Sequence, residues 1–103
     1  MASYLMLFRF TPEGITHIRG SLAAVEAAKQ AFQALGAEVK AFYGLMGRYD
    51  TMFLVEAPDD GTVATAALAL RSLGQMQSET LRAFPEEEYQ QVLAALPGAR
   101  TTR

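Results

Sequence analysis

At 103 residues with 50% hydrophobic content, the chain supports one compact core and is too short for two ordinary domains. Its formal net charge of -2, with cations scattered from Arg9 to Arg103, supplies neither the basic field that nucleic acid demands nor a polybasic patch for a membrane, so neither is an expected partner. Without cysteine there is no thiol catalysis, disulfide or thiolate metal site, and the lone His17 leaves metal chemistry short of ligands, so no metal or cofactor is expected.

Tyr4 to Phe10 is apolar at both parities with Arg9 near its end, the pattern of a strand covered on both faces. It is too short for a secretory leader and has no basic flank, so a cytoplasmic location is expected. Thr11-Pro12-Glu13 then reads as a helix start, with a capping threonine, a proline suited to the first position and a glutamate at the positive end. Gly14 and Gly20 weaken that opening turn. From Ser21 onward Leu22, Val25, Ala28, Phe32 and Leu35 recur at helical spacing, and Gly36 stands where a left-handed residue stops a helix.

Ala37 to Leu45 alternates, with Val39, Ala41 and Tyr43 on one side and Glu38 and Lys40 on the other, as in a strand near a sheet edge. Gly47-Arg48-Tyr49-Asp50 follows as a turn. Thr51 to Glu56 is again apolar at both parities, which predicts a second central strand. After Pro58-Asp59-Asp60-Gly61 an aspartate cap opens a helix over 62–73, closed by Gly74, with Val63, Ala66, Ala67 and Leu70 on one side and Ala64 and Leu68 on another. Gln75 to Phe84 reads as a fourth strand. Pro85 and Glu86-Glu87-Glu88 start a last helix whose stripe of Tyr89, Val92, Leu93 and Leu96 is expected to be buried. Pro97-Gly98 ends it, giving a single domain over 1–98 and a tail over 99–103 that is expected to be disordered.

This order predicts an α+β fold, ferredoxin-like β-α-β-β-α-β with a C-terminal helix and an antiparallel four-stranded sheet. Right-handed crossovers place the first and third strands at the centre and the helices on one face. Either Tyr4, Met6, Phe8 and Phe10 or the opposite set Leu5 and Leu7 then lies uncovered, together with one set from Met52/Leu54 or Phe53/Val55. A patch of that size needs a partner, and a two-fold dimer packing sheet against sheet is the simplest closed solution. A homodimer or a higher homo-oligomer is therefore expected.

The turn Gly47-Arg48-Tyr49-Asp50 resembles the signature of the GYD domain family. Thr11 to Gly14, Leu35-Gly36, Val55 to Asp59, Leu70 to Gly74 and Glu79 to Phe84 resemble family members as well, so the resemblance runs from about residue 3 to 96. It implies a likeness to dimeric α/β-barrel proteins and brings almost no biochemistry. His17 matches none of those motif positions.

Arg48, Tyr49 and Asp50 together suit an acid/base and anion-binding cluster, because an arginine fork favours a neighbouring carboxylate and a tyrosine can relay a proton. The same residues suit a tight hairpin turn with Asp50 bonded to turn amides, and that reading is preferred. His17 is a candidate general base, set against a locally capped or solvent-facing histidine. Arg9, Glu79 and Arg82 either project into a barrel interior as ligand-binding groups or pair across strands. Glu86-Glu87-Glu88 suits a helix dipole, and Met46, Met52 and Met76 suit core filling.

Two function classes remain. One is a homo-oligomer that binds or transforms a small organic molecule without metal in a barrel pocket, lying inside the dimer or between sheet and helices and lined by tyrosine, arginine and a carboxylate, with His17, Tyr49 and Asp50 as catalytic candidates and Arg9, Arg48, Glu79 and Arg82 as ligand-binding candidates. The other is a non-catalytic homo-oligomeric structural or ligand-sensing module, for which the Ala64 and Leu68 side of the helix offers a contact surface. An enclosed pocket containing Arg48, Asp50 or His17 would favour the first.

Overall fold

Strands β1 (Ala2–Phe10), β2 (Glu38–Gly44), β3 (Thr51–Ala57) and β4 (Met76–Ala83) form one antiparallel sheet in the order β2-β3-β1-β4. Helices are α1 (Pro12–Ile15), α2 (Ser21–Ala34), α3 (Asp60–Arg71) and α4 (Glu86–Ala94), with a 3-10 turn, Ile18–Gly20, leading into α2. The computed structural model describes residues 1–98, and the expected disordered tail lies outside the described residues. The ferredoxin-like arrangement therefore stands, with the two doubly apolar strands at its centre.

The helices select which parity becomes core. Tyr4, Met6 and Phe8 of β1 and Phe53, Val55 and Ala57 of β3 are buried beneath Ala28 and Phe32 of α2 and Val63, Ala66 and Leu70 of α3. Phe53 meets Phe8, Phe32 and Phe42 edge to face, with ring centroids 5.2, 5.7 and 5.8 Å away. The opposite parity is left on an open face, where Leu5 stands between Leu54 and Leu81 and Leu7 between Met52 and Glu79.

Caps fix the helix starts. The Thr11 hydroxyl accepts the Gly14 N–H at 3.1 Å, as the sequence leads one to expect. The Asp59 carboxylate accepts the Thr62 N–H at 2.8 Å and the Thr62 hydroxyl at 2.9 Å, so α3 begins at Asp60 rather than at 62. Gly36 and Gly74 end α2 and α3 with φ of +86° and +78°, angles that a Cβ disfavours.

Four sequence expectations are corrected. A register shift between Val39 and Ala41 separates residues predicted to share a face: Val39 stays with the core, Ala41 and Tyr43 turn to the open face, and Phe42 reaches the core opposite Phe53. Leu22 is exposed because Val25, Ala28 and Phe32 are the α2 positions that pack on the sheet. Met46 is fully exposed in the β2–β3 loop and Met52 lies on the open face, leaving Met76 alone of the three against the core. The α4 stripe is not buried either: Tyr89, Val92, Leu93 and Leu96 are exposed, because α4 leaves the body and is tied to it at its first turn by the Arg82–Glu88 ion pair at 3.1 Å.

Candidate functional site

The sequence-derived candidates do not converge. The structure distributes them among four places: a cavity on the helix side, a polar recess on the open face, the end of β1, and the junction of β4 with α4.

The helix-side cavity, of about 290 Å³, lies between the sheet and the segment running from α1 into α2. Phe8, Phe42 and Phe53 contribute from the sheet, Ala24, Val25 and Ala28 from α2, and His17 from the connection between α1 and the 3-10 turn. The start of α1 is pinned to the start of β4, since the Thr11 N–H donates to Gln75 O at 3.1 Å and the Thr11 hydroxyl donates to Gly74 O at 2.9 Å. Gly14 allows this close approach: a Cβ there would stand 2.0 Å from Gln75 O. His17 stands exposed at the edge of the cavity: its N–H donates to Gly14 O at 3.0 Å, and its imidazole makes no capping bond.

The open-face recess, about 200 Å³, holds Arg9, Arg48, Tyr49 and Glu79 beside Leu7. Arg9 Nε donates to Arg48 O at 3.1 Å, and its guanidinium stands 5.5 Å from the Tyr49 ring centroid. The Tyr49 hydroxyl crosses from the β2–β3 loop to β4 and donates to the Glu79 carboxylate. That bond, followed by partial desolvation and the Glu79 charge, raises the phenol pKa above its usual value against the opposing pull of Arg48 and Arg9. The group is a charged cluster beside the apolar open face.

Asp50 faces neither recess. Its Oδ2 accepts the Phe10 N–H at 2.8 Å, its own N–H donates to Phe8 O at 2.8 Å, and its carbonyl accepts the Leu45 N–H at 2.8 Å. The expected turn is present, with Gly47 at φ +124°, but the carboxylate bonds β1 rather than turn amides. Arg82 stands apart as well. It bonds Glu88 and Ser3 O, lies 4.5 Å over the Phe84 ring and 5.6 Å over the Tyr4 ring, and so joins β4 to α4. Beneath it the Tyr4 hydroxyl donates to Asp60, and that bond, with burial, raises the Tyr4 pKa.

Sequence reasoning allowed a pocket between sheet and helices but not this lining, which holds no tyrosine, arginine or carboxylate among the described residues. The cavity's aromatic floor depends on Phe42, which reaches it only through the register shift in β2, and its polar lining includes Gln75, which carries no pattern of its own. Among the described residues no cluster of three or more histidine, aspartate or glutamate side chains is arranged to hold a metal ion, and no helix is long and apolar enough to cross a membrane.

An antiparallel ferredoxin-like sheet with helices on one side and an uncovered apolar face on the other defines the structural class. A profile described as the GYD domain matches residues 4–93, and the chain belongs to that family. It is 34% identical over 86 residues to a protein of Thermus thermophilus named glutamine synthetase and cystathionine beta-lyase binding protein, covering 82% of this chain and 90% of the relative. The crystal structure of TTHA0845, also from Thermus thermophilus, has a similar fold, with a TM-score of 0.55, 25% identity, and coverage of 82% of this chain and 95% of the other.

Proposed function

We propose that this protein is a self-associating binding module that docks onto an enzyme rather than carrying out a reaction of its own. The observation that carries the self-association is the pair of unpartnered apolar surfaces on one chain: the open sheet face of Leu5, Leu7, Met52, Leu54 and Leu81, and the exposed stripe of α4. A nine-residue helix is marginal in isolation and draws its stability from packing, so α4 needs a surface to rest on. A second copy related by a two-fold axis covers both surfaces at once, with sheet against sheet and each α4 reaching the other copy.

Docking to an enzyme is supported by the relative, whose name describes binding to glutamine synthetase and cystathionine beta-lyase. The structural engagement of Asp50, Tyr49 and Arg82 also favours binding over chemistry. The test is surface plasmon resonance of the intact protein against purified glutamine synthetase and cystathionine beta-lyase from its own source organism. Saturable binding to either supports the reading; no binding to both at micromolar concentration contradicts it.

A second reading, binding of a small organic molecule, is favoured by the helix-side cavity that contains His17.

A further inference from the structure

We propose that the helix-side cavity takes a compact, uncharged, largely apolar molecule of one or two rings, with a single hydrogen-bonding substituent set between His17 and Gln75. This rests on the reading of that cavity as a ligand site and adds the chemical class it accepts.

Size comes first. An apolar cavity of roughly 150 Å³ holds one benzene ring. At about 290 Å³ this one has room for a bicyclic molecule, but it sits at the lower limit of ligand pockets, roughly 300 Å³. The cavity opens to solvent beside the exposed residues His17, Gly20, Ala24 and Leu73, so its width is set by the residues around it. Those residues are small where the cavity needs width: Ala24 and Ala28 occupy the face of α2 that looks onto it, and Gly14 and Gly20 lie along the segment that borders it.

Lining chemistry sets the class. Phe8, Phe42 and Phe53 meet edge to face and offer a flat-sided aromatic floor, against which another ring packs well. No aspartate, glutamate, lysine or arginine lines the cavity among the described residues, so a charged ligand would lose its hydration there without gaining an ion pair. The polar side chains are His17, Ser21, Thr51 and Gln75. Among the described residues none of these four side chains is hydrogen-bonded within the chain; the imidazole of His17 and the amide of Gln75 border the same end, where α1 is pinned against Gly74 and Gln75, and each can donate or accept. One hydroxyl, amine or indole N–H on a ligand would meet them. The segment carrying His17 is already fixed by Thr11 and Gly14 against Gly74 and Gln75, so the polar end exists before the ligand arrives.

The cavity occupies the helix side and the oligomer surface the opposite side, so ligand binding is measurable whatever the oligomeric state proves to be. The experiment is a titration of the isotope-labelled intact protein with indole, toluene and benzoate, followed by two-dimensional NMR. Indole should saturate with a Kd below about 1 mM and shift the signals of Phe8, Phe42 and Phe53. Toluene should bind more weakly and benzoate not at all. Ala24→Leu, which fills the cavity from an exposed helical position, should weaken indole about tenfold at unchanged melting temperature; Ala24→Val serves if the larger side chain perturbs the fold. His17→Ala should weaken indole about fivefold while leaving toluene unchanged. Benzoate binding as tightly as indole, or indole affinity unmoved by His17→Ala, would overturn the assigned class while leaving the site intact. If none of the three saturates, or if filling at Ala24 has no effect, the cavity is not a ligand site at all.

Discussion

The Asp50 carboxylate accepts the Phe10 backbone N–H at 2.8 Å, joining positions 40 residues apart. The β1–β3 ladder ends at the pair Phe8 and Thr51, so this bond continues the pairing beyond the point where β3 has run out. Asp50→Ala leaves that amide without its acceptor and should cost about 1 to 2 kcal/mol. Asp50→Asn keeps a side-chain oxygen and should recover part of the loss. Thermal denaturation of the two variants checks this, and wild-type melting for both would show the bond to be unimportant.

Gly14 lies against Gln75, and a methyl group there would collide with backbone that cannot rotate away. Gly14→Ala should therefore force α1 off the start of β4 and cost about 1 to 3 kcal/mol. Gly20→Ala meets nothing within 4 Å and is the matched control. Chemical denaturation should separate the two, with little change at Gly20.

The Asp59 cap predicts an acid-dependent contribution to stability. Its carboxyl pKa lies below the ordinary 3.8 because the Thr62 backbone N–H and hydroxyl both donate to the charged form. A lowered folded pKa means that stability is present above the unfolded pKa and lost as pH falls through the folded one. Asp59→Ala should thus lower the melting temperature at pH 7, and its difference from the wild type should shrink as the pH falls below about 4. A gap that stays constant down to about pH 2 would point to another cause.

Tyr49 should ionise later than an unperturbed tyrosine, because its hydroxyl donates to Glu79 in the neutral form. The raised folded pKa stabilises the fold below the unfolded value of about 10, and that contribution disappears as pH rises through the folded pKa. Glu79→Gln removes the charge and should bring the phenol down. Ultraviolet titration, with Tyr49→Phe identifying the transition, reads the shift directly.

Much of this architecture was legible in the sequence. Apolar runs at both parities in 4–10 and 51–56 identified the central strands, and Gly36 and Gly74 marked where α2 and α3 stop. The register shift in β2 was not legible, because a strict two-residue period assigns Val39 and Ala41 to one face and an inserted residue breaks that rule. Periodicity likewise identified the apolar stripe of α4 without revealing that its own chain leaves the stripe uncovered. The site was less legible still. Tyr49, Arg48 and Asp50 are adjacent in sequence, yet Asp50 is committed to β1 and Tyr49 to β4, while His17 lines a cavity on the other side of the sheet.

Self-association through the open sheet face is the central claim, and size-exclusion chromatography with light scattering at micromolar concentration tests it most directly. The wild type should run at twice the 11.2 kDa chain mass or a higher multiple. Leu54→Glu, which places a charge at the centre of the open face, should give a folded monomer, whereas Leu68→Glu on the exposed side of α3 should leave the assembly intact. A wild-type monomer of 11.2 kDa, or a Leu54→Glu protein that assembles like the wild type, would contradict the account.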